Sequence, residues 1–219
     1  MLAVPFSLVA FVGGINAMNM IDGADGMAGK MAAITLFGAG IIFILSGEVE
    51  LLPLTWAMLG ALMGFLMFNA RLFVRRAWVF MGDAGSMWLG LMLGWFMAQV
   101  TRGQVSAEPA LVLWLFGIPL IDAVVVMLRR IGRKCSPFAA DRTHIHHILE
   151  HARFSVKHTV LALSLMQMVL VSIGVFFYFI HAAAAVVLWS FILFATVGYY
   201  LVSRFLRRRL GQEIGLGPQ

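Results

Sequence analysis

The stretch "TVLALSLMQMVLVSIGVFFYFI", residues 159–180, contains no Asp, Glu, Lys or Arg. An α-helix needs about 20 consecutive apolar residues to cross the hydrocarbon core of a bilayer, so this stretch predicts a transmembrane helix. The chain has further runs of the same kind, and together they lie at about 2–18, 28–46, 51–69, 84–100, 109–128, 159–180 and 183–203. These runs are continuous, whereas a transmembrane β-barrel requires short alternating segments. The sequence therefore predicts an all-α, polytopic transmembrane helix bundle with about seven spans.

The basic residues predict the orientation of this bundle. Fifteen of the sixteen Lys and Arg residues lie in alternate connections between the runs, and the other connections contain only Arg102. The positive-inside rule places the basic side in the cytoplasm, which puts the C-terminus in the cytoplasm and the N-terminus outside. The topology accounts for the net charge of +6, so we expect a lipid bilayer and no nucleic acid as a partner.

Three predicted cytoplasmic connections, at about 16–30, 69–83 and 129–158, hold most of the polar residues. No soluble segment is long enough to fold alone, so we expect residues 1–219 to form a single membrane domain with a cytoplasmic working face. Nothing before the first run resembles a cleavable signal peptide. Because the N-terminus is predicted to lie outside, we expect the sequence to be part of a longer chain.

Two pairs of glycines suggest where helices approach each other closely. Gly60 and Gly64 form one small-xxx-small pair, and Gly90 and Gly94 form another. Such pairs let helix backbones pack closely in a membrane, so we expect close packing at both.

The first connection contains "NAMNMIDGADGMAGK", residues 16–30. Asn16, Asn19, Asp22 and Asp25 are spaced by three residues, which keeps side chains on one slowly rotating face at a helix end. A helix end followed by a polar turn would also use these residue types. Carboxylates at a membrane boundary are costly without a cation or another partner, and this cost favours a ligand site.

The second connection ends in "VFMGDAGS", where Asp83 stands between two glycines before an apolar run. Asp83 could be a helix N-cap that accepts backbone N–H bonds. It could also bind Mg²⁺, which commonly takes one or two protein carboxylates together with water and substrate phosphates. Helix N-termini also accept phosphate oxygens, and these interpretations are compatible.

The third connection contains "DRTHIHHILEH", residues 141–151. His144, His147 and His151 would share one face of a helix, which leaves zinc as one interpretation. Histidines beside an arginine also suit phosphate recognition and proton transfer, and a solvated basic loop is the third alternative. Asp122 lies inside the preceding apolar run; an acid there indicates either a functional site or a hydrogen bond to a neighbouring helix.

The motifs "NAMNMIDGADGMAG", "FMGDAGS", "PLIDAVVVMLRR" and "SPFAADRTHIHH", in this order, resemble those of the polyprenyl-phosphate N-acetylhexosamine-1-phosphate transferases (glycosyltransferase family 4). The resemblance covers nearly the whole chain. It implies a phosphoglycosyl transferase in the bacterial inner membrane, with its active face in the cytoplasm. The expected reaction moves N-acetylhexosamine 1-phosphate, with N-acetylglucosamine as the expected sugar, from a UDP-sugar to undecaprenyl phosphate. The products would be UMP and a lipid-linked diphosphate sugar for cell-envelope polysaccharides such as the lipopolysaccharide O-antigen.

The resemblance also implies roles for individual residues. It implies that Asp83 and Asn19 bind Mg²⁺, with Mn²⁺ as an alternative, and that Asp22, Asp25 and His144 are catalytic. The residues that it implies for substrate binding are Asn16, Asn69, Phe80, Arg129, Arg130, Arg142, His146 and His147.

Two alternatives follow from the same residues. Family members carry further N-terminal helices with an Asp-Asp pair, which this sequence does not contain, so a catalytically incomplete fragment that binds polyprenyl phosphate or a homologue stays open. The second alternative is a cation- or proton-coupled transporter with a path formed by Asp22, Asp25, Asp83 and Asp122. Such a transporter would place its sites near the membrane midplane, whereas all of these acids except Asp122 gather at one boundary. A homodimer is also left open.

Overall fold

The structure, a computed structural model, describes residues 3–70, 76–102, 105, 107–136, 144–151 and 153–210. The described residues form helices and connections without strands, which confirms the all-α prediction. The α-helices are α1 (Ala3–Ile21), α2 (Met27–Ser46), α3 (Leu52–Asn69), α4 (Gly82–Val100), α5 (Leu111–Leu115), α6 (Gly117–Gly132), α7 (Ile145–His151), α8 (Val156–Phe179) and α9 (Ala184–Leu210). A 3₁₀ helix, Val49–Leu51, precedes α3.

Within the described part of the chain, five helices are long and apolar enough to cross a membrane. They are Val4–Ile21, Met27–Ser46, Val49–Asn69, Val156–Phe179 and Ala184–Val202. The other two predicted spans correspond to α4 and to the pair α5 and α6. Several membrane helices are thus present, while the total of seven crossings and their orientation stay predictions.

The predicted helix at 109–128 is wrong as a continuous element, because the helix is interrupted at Phe116. Pro119 explains the interruption: it has no N–H, so the carbonyl of Leu115, four residues earlier, cannot receive its usual helical bond. A free carbonyl inside an apolar bundle is costly unless another group satisfies it. The interruption therefore requires polar partners from other helices.

Two buried polar side chains provide these partners. Thr35 of α2 donates its hydroxyl to the carbonyl of Leu115 at 2.8 Å. Gln167 of α8 donates its amide to the same carbonyl at 2.7 Å and accepts from the backbone N–H of Ile118 at 2.9 Å. The Gln167 amide also donates to the Thr35 hydroxyl at 3.1 Å. This polar cluster of Thr35, Gln167 and the Leu115 and Ile118 backbone joins α2, α8 and the broken helix.

The central helix of the bundle is α2. Within the spans, 61% of α2 is buried, compared with 17% of α1 and 11% of α9, so the outer faces of α1 and α9 present apolar side chains to their surroundings. The close packing predicted at Gly90 and Gly94 is confirmed, because a Cβ on Gly90 would come within 2.7 Å of the Ile15 Cα atom, and one on Gly94 within 3.0 Å of Phe11. The same expectation for the pair at 60 and 64 is wrong, since no described neighbour lies within 4 Å of a Cβ built there.

Candidate active site

The acidic turn, which we define as residues 22–26, connects α1 to α2. The turn is tight because Gly26 adopts φ +80°. The backbone of Gly26 also packs against Ala70, so that a Cβ on residue 26 would lie 2.8 Å from the Cβ of Ala70. Asp22 is half-buried in this turn. Burial, followed by the neighbouring charges of Asp83 and Asp25, raises the pKa of Asp22 to about 6. The turn therefore places Asp22 close to two other carboxylates.

The last turn of α1 meets the first turn of α4. Asn19 donates its side-chain amide to Asp83 Oδ1 at 3.3 Å and to Ser86 Oγ at 3.0 Å. The close crossing of α1 and α4 at Gly90 explains why these two helix ends meet. Two residues that the resemblance implies for metal binding, Asn19 and Asp83, are thus neighbours although they are 64 positions apart.

Asp83 is not the N-cap that one interpretation of the sequence predicted. Helix α4 begins at Gly82, so Asp83 is its second residue, and the N-cap Met81 makes no side-chain capping bond. The Asp83 side chain is exposed. Its carboxylate therefore projects from the first helical turn, where a negative charge is favourable.

Asn69 joins the acidic turn to the connection between α3 and α4. Its side-chain oxygen accepts from the Gly26 backbone N–H at 2.8 Å, and its amide donates to the Val79 carbonyl at 2.7 Å. Asp25 supports the same connection by accepting from the Ala77 backbone N–H at 3.4 Å. The structure therefore gives the buried Asn69 a structural role, and its role in substrate binding stays a prediction.

Phe80 and Asn16 lie at the edges of this region. The Phe80 side chain is 75% exposed, which leaves its ring available for stacking. The amide of Asn16 donates to the Val12 carbonyl one turn earlier in α1 at 2.8 Å. Neither residue contacts the acidic turn through a described hydrogen bond, so their substrate roles stay predictions.

The histidine segment, defined as residues 144–151, is anchored by a buried acid. Oδ2 of Asp122, on α6, lies 2.9 Å from Nδ1 of His144, and Oδ1 accepts a hydrogen bond from the backbone N–H of Ile145 at 2.8 Å. The alternative of a hydrogen-bonded structural role for Asp122 is therefore present in the structure. The sequence indicated that Asp122 is unusual but not which residue it contacts.

His146 packs this segment against the acidic turn. Its ring stacks parallel to that of His144, with centroids 5.9 Å apart, and a Cβ added to Gly23 would lie only 2.1 Å from His146 Nε2. Burial, followed by repulsion from His147, lowers the pKa of His146 to about 4. His146 is therefore neutral at neutral pH, and neither of its ring nitrogens has a described hydrogen-bond partner.

The remaining histidines do not form a recognisable zinc site within the described residues. His147 lies 3.8 Å from Glu150, three residues along α7. No group of three or more His, Cys, Asp and Glu side chains in the described part of the chain is arranged to hold a metal ion. This finding concerns such multi-ligand groups and leaves open a cation held by one or two carboxylates.

Two of the predicted arginines, Arg129 and Arg130, lie on the last turns of α6. Arg129 contacts the Tyr199 hydroxyl through Nε at 3.3 Å and Nη2 at 3.2 Å, and its guanidinium lies 5.1 Å from the centre of that ring. It lines an open, mainly apolar cleft of about 750 Å³ between α6 and α9, which Asp122 also lines. Arg130 is buried. Arg142 lies outside the described residues.

Sequence reasoning missed three neighbours of the predicted residues. Ser86, Gly23 and the backbone of Ile145 contact Asn19, His146 and Asp122, respectively. Ser86 and Gly23 belong to quoted motifs, so their position within a motif was the available signal. No sequence signal indicated that Ile145 would donate to Asp122, because the two lie on separate elements.

Comparison with known proteins supports the resemblance. Residues 1–101 match the model of the family described as Glycosyl transferase family 4. The chain is 36% identical over 97% of its length to the undecaprenyl-phosphate alpha-N-acetylglucosaminyl 1-phosphate transferase of Escherichia coli K12, covering 61% of that protein. For the proteins of the same name from Salmonella typhi and Haemophilus influenzae, the identities are 35% and 32% over 92% and 82% of this chain, covering 57% and 53% of those proteins.

The chain thus spans about three fifths of the length of the curated E. coli relative that it matches. The similarity includes all the motifs within residues 1–101 and extends over most of the remaining sequence. These matches confirm the predicted resemblance to glycosyl transferase family 4.

Proposed function

We propose that this protein transfers N-acetylglucosamine 1-phosphate from UDP-N-acetylglucosamine to undecaprenyl phosphate, with release of UMP. The names of the relatives support this reaction. The observation that carries the proposal is the meeting of Asn19 and Asp83, from two separate motifs, beside the half-buried Asp22. An acidic and amide-rich face of this kind suits a cation-bound diphosphate.

The residues present fit a divalent cation, for which we propose Mg²⁺, with Mn²⁺ as an alternative. Asp83 would hold the cation together with Asn19, whose side-chain oxygen remains available while its amide donates to Asp83. The raised pKa of Asp22, caused first by burial and then by Asp83 and Asp25, indicates that three carboxylates lie close together at this place. A bound divalent cation supplies charge neutralisation for the diphosphate.

The chemistry requires the chain to align two phosphates. A phosphate oxygen of the lipid attacks the phosphorus that carries the sugar, and the bond from this phosphorus to the oxygen of UMP breaks. Phosphoryl transfer depends mainly on positioning and charge stabilisation. Asp22 and Asp25 would orient the sugar nucleotide, while His144, His147 and Arg142 would approach its diphosphate from the histidine segment and the residues before it.

We further propose that the protein is a single membrane domain of the bacterial inner membrane, with this site on the cytoplasmic face. The positive-inside distribution of Lys and Arg supports that orientation. The substrates would arrive from two sides, the sugar nucleotide from the cytoplasm and undecaprenyl phosphate from the bilayer. A homodimer stays a prediction from the sequence.

One alternative has a specific observation in its favour. Because the chain covers 61% of the E. coli relative, about two fifths of that relative has no counterpart in the matched region. The alternative is a chain that binds polyprenyl phosphate or a homologue without catalysing transfer. The experiment below separates it from the enzyme.

The test is the transfer of radiolabel from UDP-N-acetylglucosamine into undecaprenyl lipid by purified protein, with and without Mg²⁺. The chain is assayed alone and as a fusion carrying the part of the E. coli relative that lies outside the match. Metal-dependent lipid labelling that Asp83→Asn abolishes supports the proposal. Labelling by the fusion alone identifies an incomplete catalytic unit, and no labelling by either form overturns the proposal.

A further inference from the structure

Asp122 uses both of its carboxylate oxygens on the histidine segment. Oδ2 lies 2.9 Å from Nδ1 of His144, and Oδ1 accepts from the backbone N–H of Ile145 at 2.8 Å. The side chains of Asp122 and His144 are 5% and 7% exposed. Water therefore competes little for this pair, and its geometry is set by the protein.

The two contacts restrict the chemistry of His144. An ionised carboxylate can only accept hydrogen bonds, so the ring hydrogen beside Asp122 belongs to Nδ1. The second nitrogen, Nε2, is then the only one left for another partner. It accepts a hydrogen bond when the ring is neutral and donates one when the ring is protonated.

The contact with Ile145 adds a second constraint. Ile145 is the first residue of α7, whose N-terminal N–H groups have no partner within the helix. A carboxylate at this end satisfies one of these groups and is favourable for the helix dipole. One side chain therefore fixes both the ring of His144 and the start of the helix that carries His146 and His147.

We propose that Asp122 is a positioning residue for the transfer reaction, which holds His144 with its hydrogen on Nδ1 so that Nε2 meets the substrate phosphates. This inference rests on the proposed function. The stacked rings of His144 and His146, and the contact of His146 with Gly23, connect the pair to the acidic turn. Asp122 contacts the site through His144 and the start of α7.

The variant Asp122→Asn tests this role because an amide cannot reproduce both contacts. Its oxygen can accept from either Nδ1–H of His144 or the N–H of Ile145, and its NH₂ group must face the other. If the oxygen stays on Ile145, the NH₂ group faces His144 and favours the tautomer with hydrogen on Nε2. If the amide turns around, the NH₂ group opposes the Ile145 N–H and releases the start of α7.

The direct measurement is the ¹⁵N chemical shift of the histidine rings in the full chain in lipid nanodiscs, at alkaline pH, with His144→Gln used for assignment. In the unsubstituted protein we expect hydrogen on Nδ1 of His144, and in Asp122→Asn a shift of this hydrogen to Nε2. In the form of the protein that labels lipid, we expect kcat to fall roughly 100-fold while KM for UDP-N-acetylglucosamine changes little.

The matched control is Thr35→Val, which removes a buried hydrogen bond to the Leu115 carbonyl, and Thr35 makes no described hydrogen bond to Asp122 or His144. It should leave the His144 signature and kcat unchanged even where it lowers the melting temperature. A loss of kcat in Asp122→Asn without a change of tautomer would indicate a structural role alone and would overturn the inference.

The unsubstituted protein decides the question if Asp122→Asn does not fold. Hydrogen on Nε2 of His144 in that spectrum overturns the inference, and hydrogen on Nδ1 supports it. The failure of the proposed function is distinguishable, because it appears as an absence of lipid labelling in every form. The catalytic role of Nε2 would then fail, whereas the tautomer would still report whether Asp122 orients His144.

Discussion

Asp22 shows how charge is concentrated at the acidic turn. Its pKa is raised from 3.8 to about 6 by burial and then by Asp83 and Asp25. Between these two values the folded protein holds a proton that the unfolded chain has released. Raising the pH through this window therefore lowers the stability of the folded state.

We expect Asp22→Asn to raise the melting temperature of the metal-free protein at neutral pH, because it removes a half-buried charge beside two others. The advantage should disappear near pH 4, where Asp22 is protonated in the folded protein. Thermal unfolding followed by tryptophan fluorescence, at both pH values with a chelator present, measures this difference. Glu108→Gln, at the opposite end of the bundle, should show no such pH-dependent gain, and an equal gain in both variants would contradict the explanation.

Position 23 requires a glycine because the ring of His146 occupies the space where a side chain would lie. The Cβ of an alanine at position 23 would lie 2.1 Å from His146 Nε2, so the histidine segment would have to move away. We expect Gly23→Ala to destabilise the packed segment by about 1–3 kcal/mol, as is usual for overpacking. Hydrogen exchange of α7 amides measures the loss.

Gly14→Ala is the matched control for this substitution, because no described atom would lie within 4 Å of its Cβ. Combining Gly23→Ala with His146→Ala should restore protection to the amides of α7. Equal exchange in Gly23→Ala and the unsubstituted protein would show that the contact does not hold the segment in place.

At the scale of elements, the broken helix of α5 and α6 depends on polar partners from its neighbours. Pro119 was visible in the sequence and indicates an interruption. The identity of the partners was not visible, because Thr35 and Gln167 lie in other apolar runs. Their hydrogen bonds to Leu115 and Ile118 allow an irregular backbone to exist inside the bundle.

We expect Gln167→Leu to lower the free energy of unfolding by about 1–3 kcal/mol, because it leaves the buried N–H of Ile118 without its acceptor. Ser164→Ala is the matched control on the same helix. Among the described residues, the Ser164 hydroxyl bonds only to the Val160 carbonyl of its own helix, so its loss should be nearly neutral. Unfolding in a denaturant series compares the two variants, and equal effects would argue against the polar cluster as the reason.

At the scale of the whole molecule, the distribution of Lys and Arg predicts one orientation in the membrane. Cys135, the single cysteine of the chain, is exposed and lies in a predicted cytoplasmic connection. We expect a membrane-impermeant maleimide to label it only after cells are permeabilised. Glu108→Cys combined with Cys135→Ser should be labelled in intact cells, because residue 108 lies in a predicted external connection.

The reverse labelling pattern would invert the topology and would place the acidic turn outside the cell. Labelling of neither cysteine in intact cells would instead contradict the predicted number of crossings. The first of these outcomes would separate the sites of α1 and α4 from a cytoplasmic sugar nucleotide.

The sequence predicted which residues belong to the candidate site better than it predicted the contacts between them. Asn19, Asp22, Asp25 and Asp83 were identified as polar residues at a membrane boundary, and the structure brings Asn19 to Asp83 and couples Asp22 to the other two acids. The connection through Asn69 was not predictable as such, because hydrogen bonds to Gly26 and Val79 depend on how two connections meet.

The sequence by itself determined the helical class, the apolar runs and the order of the polar motifs. These are local properties, since a run of apolar residues needs no distant contact to be recognised and its length alone decides whether it can span a bilayer. The tertiary structure alone decided that Asp122 holds His144, that His146 occupies the space beside Gly23, and that Gln167 satisfies the broken helix. Such contacts depend on where helices cross, and buried polar groups take whichever partners that crossing brings within hydrogen-bond distance.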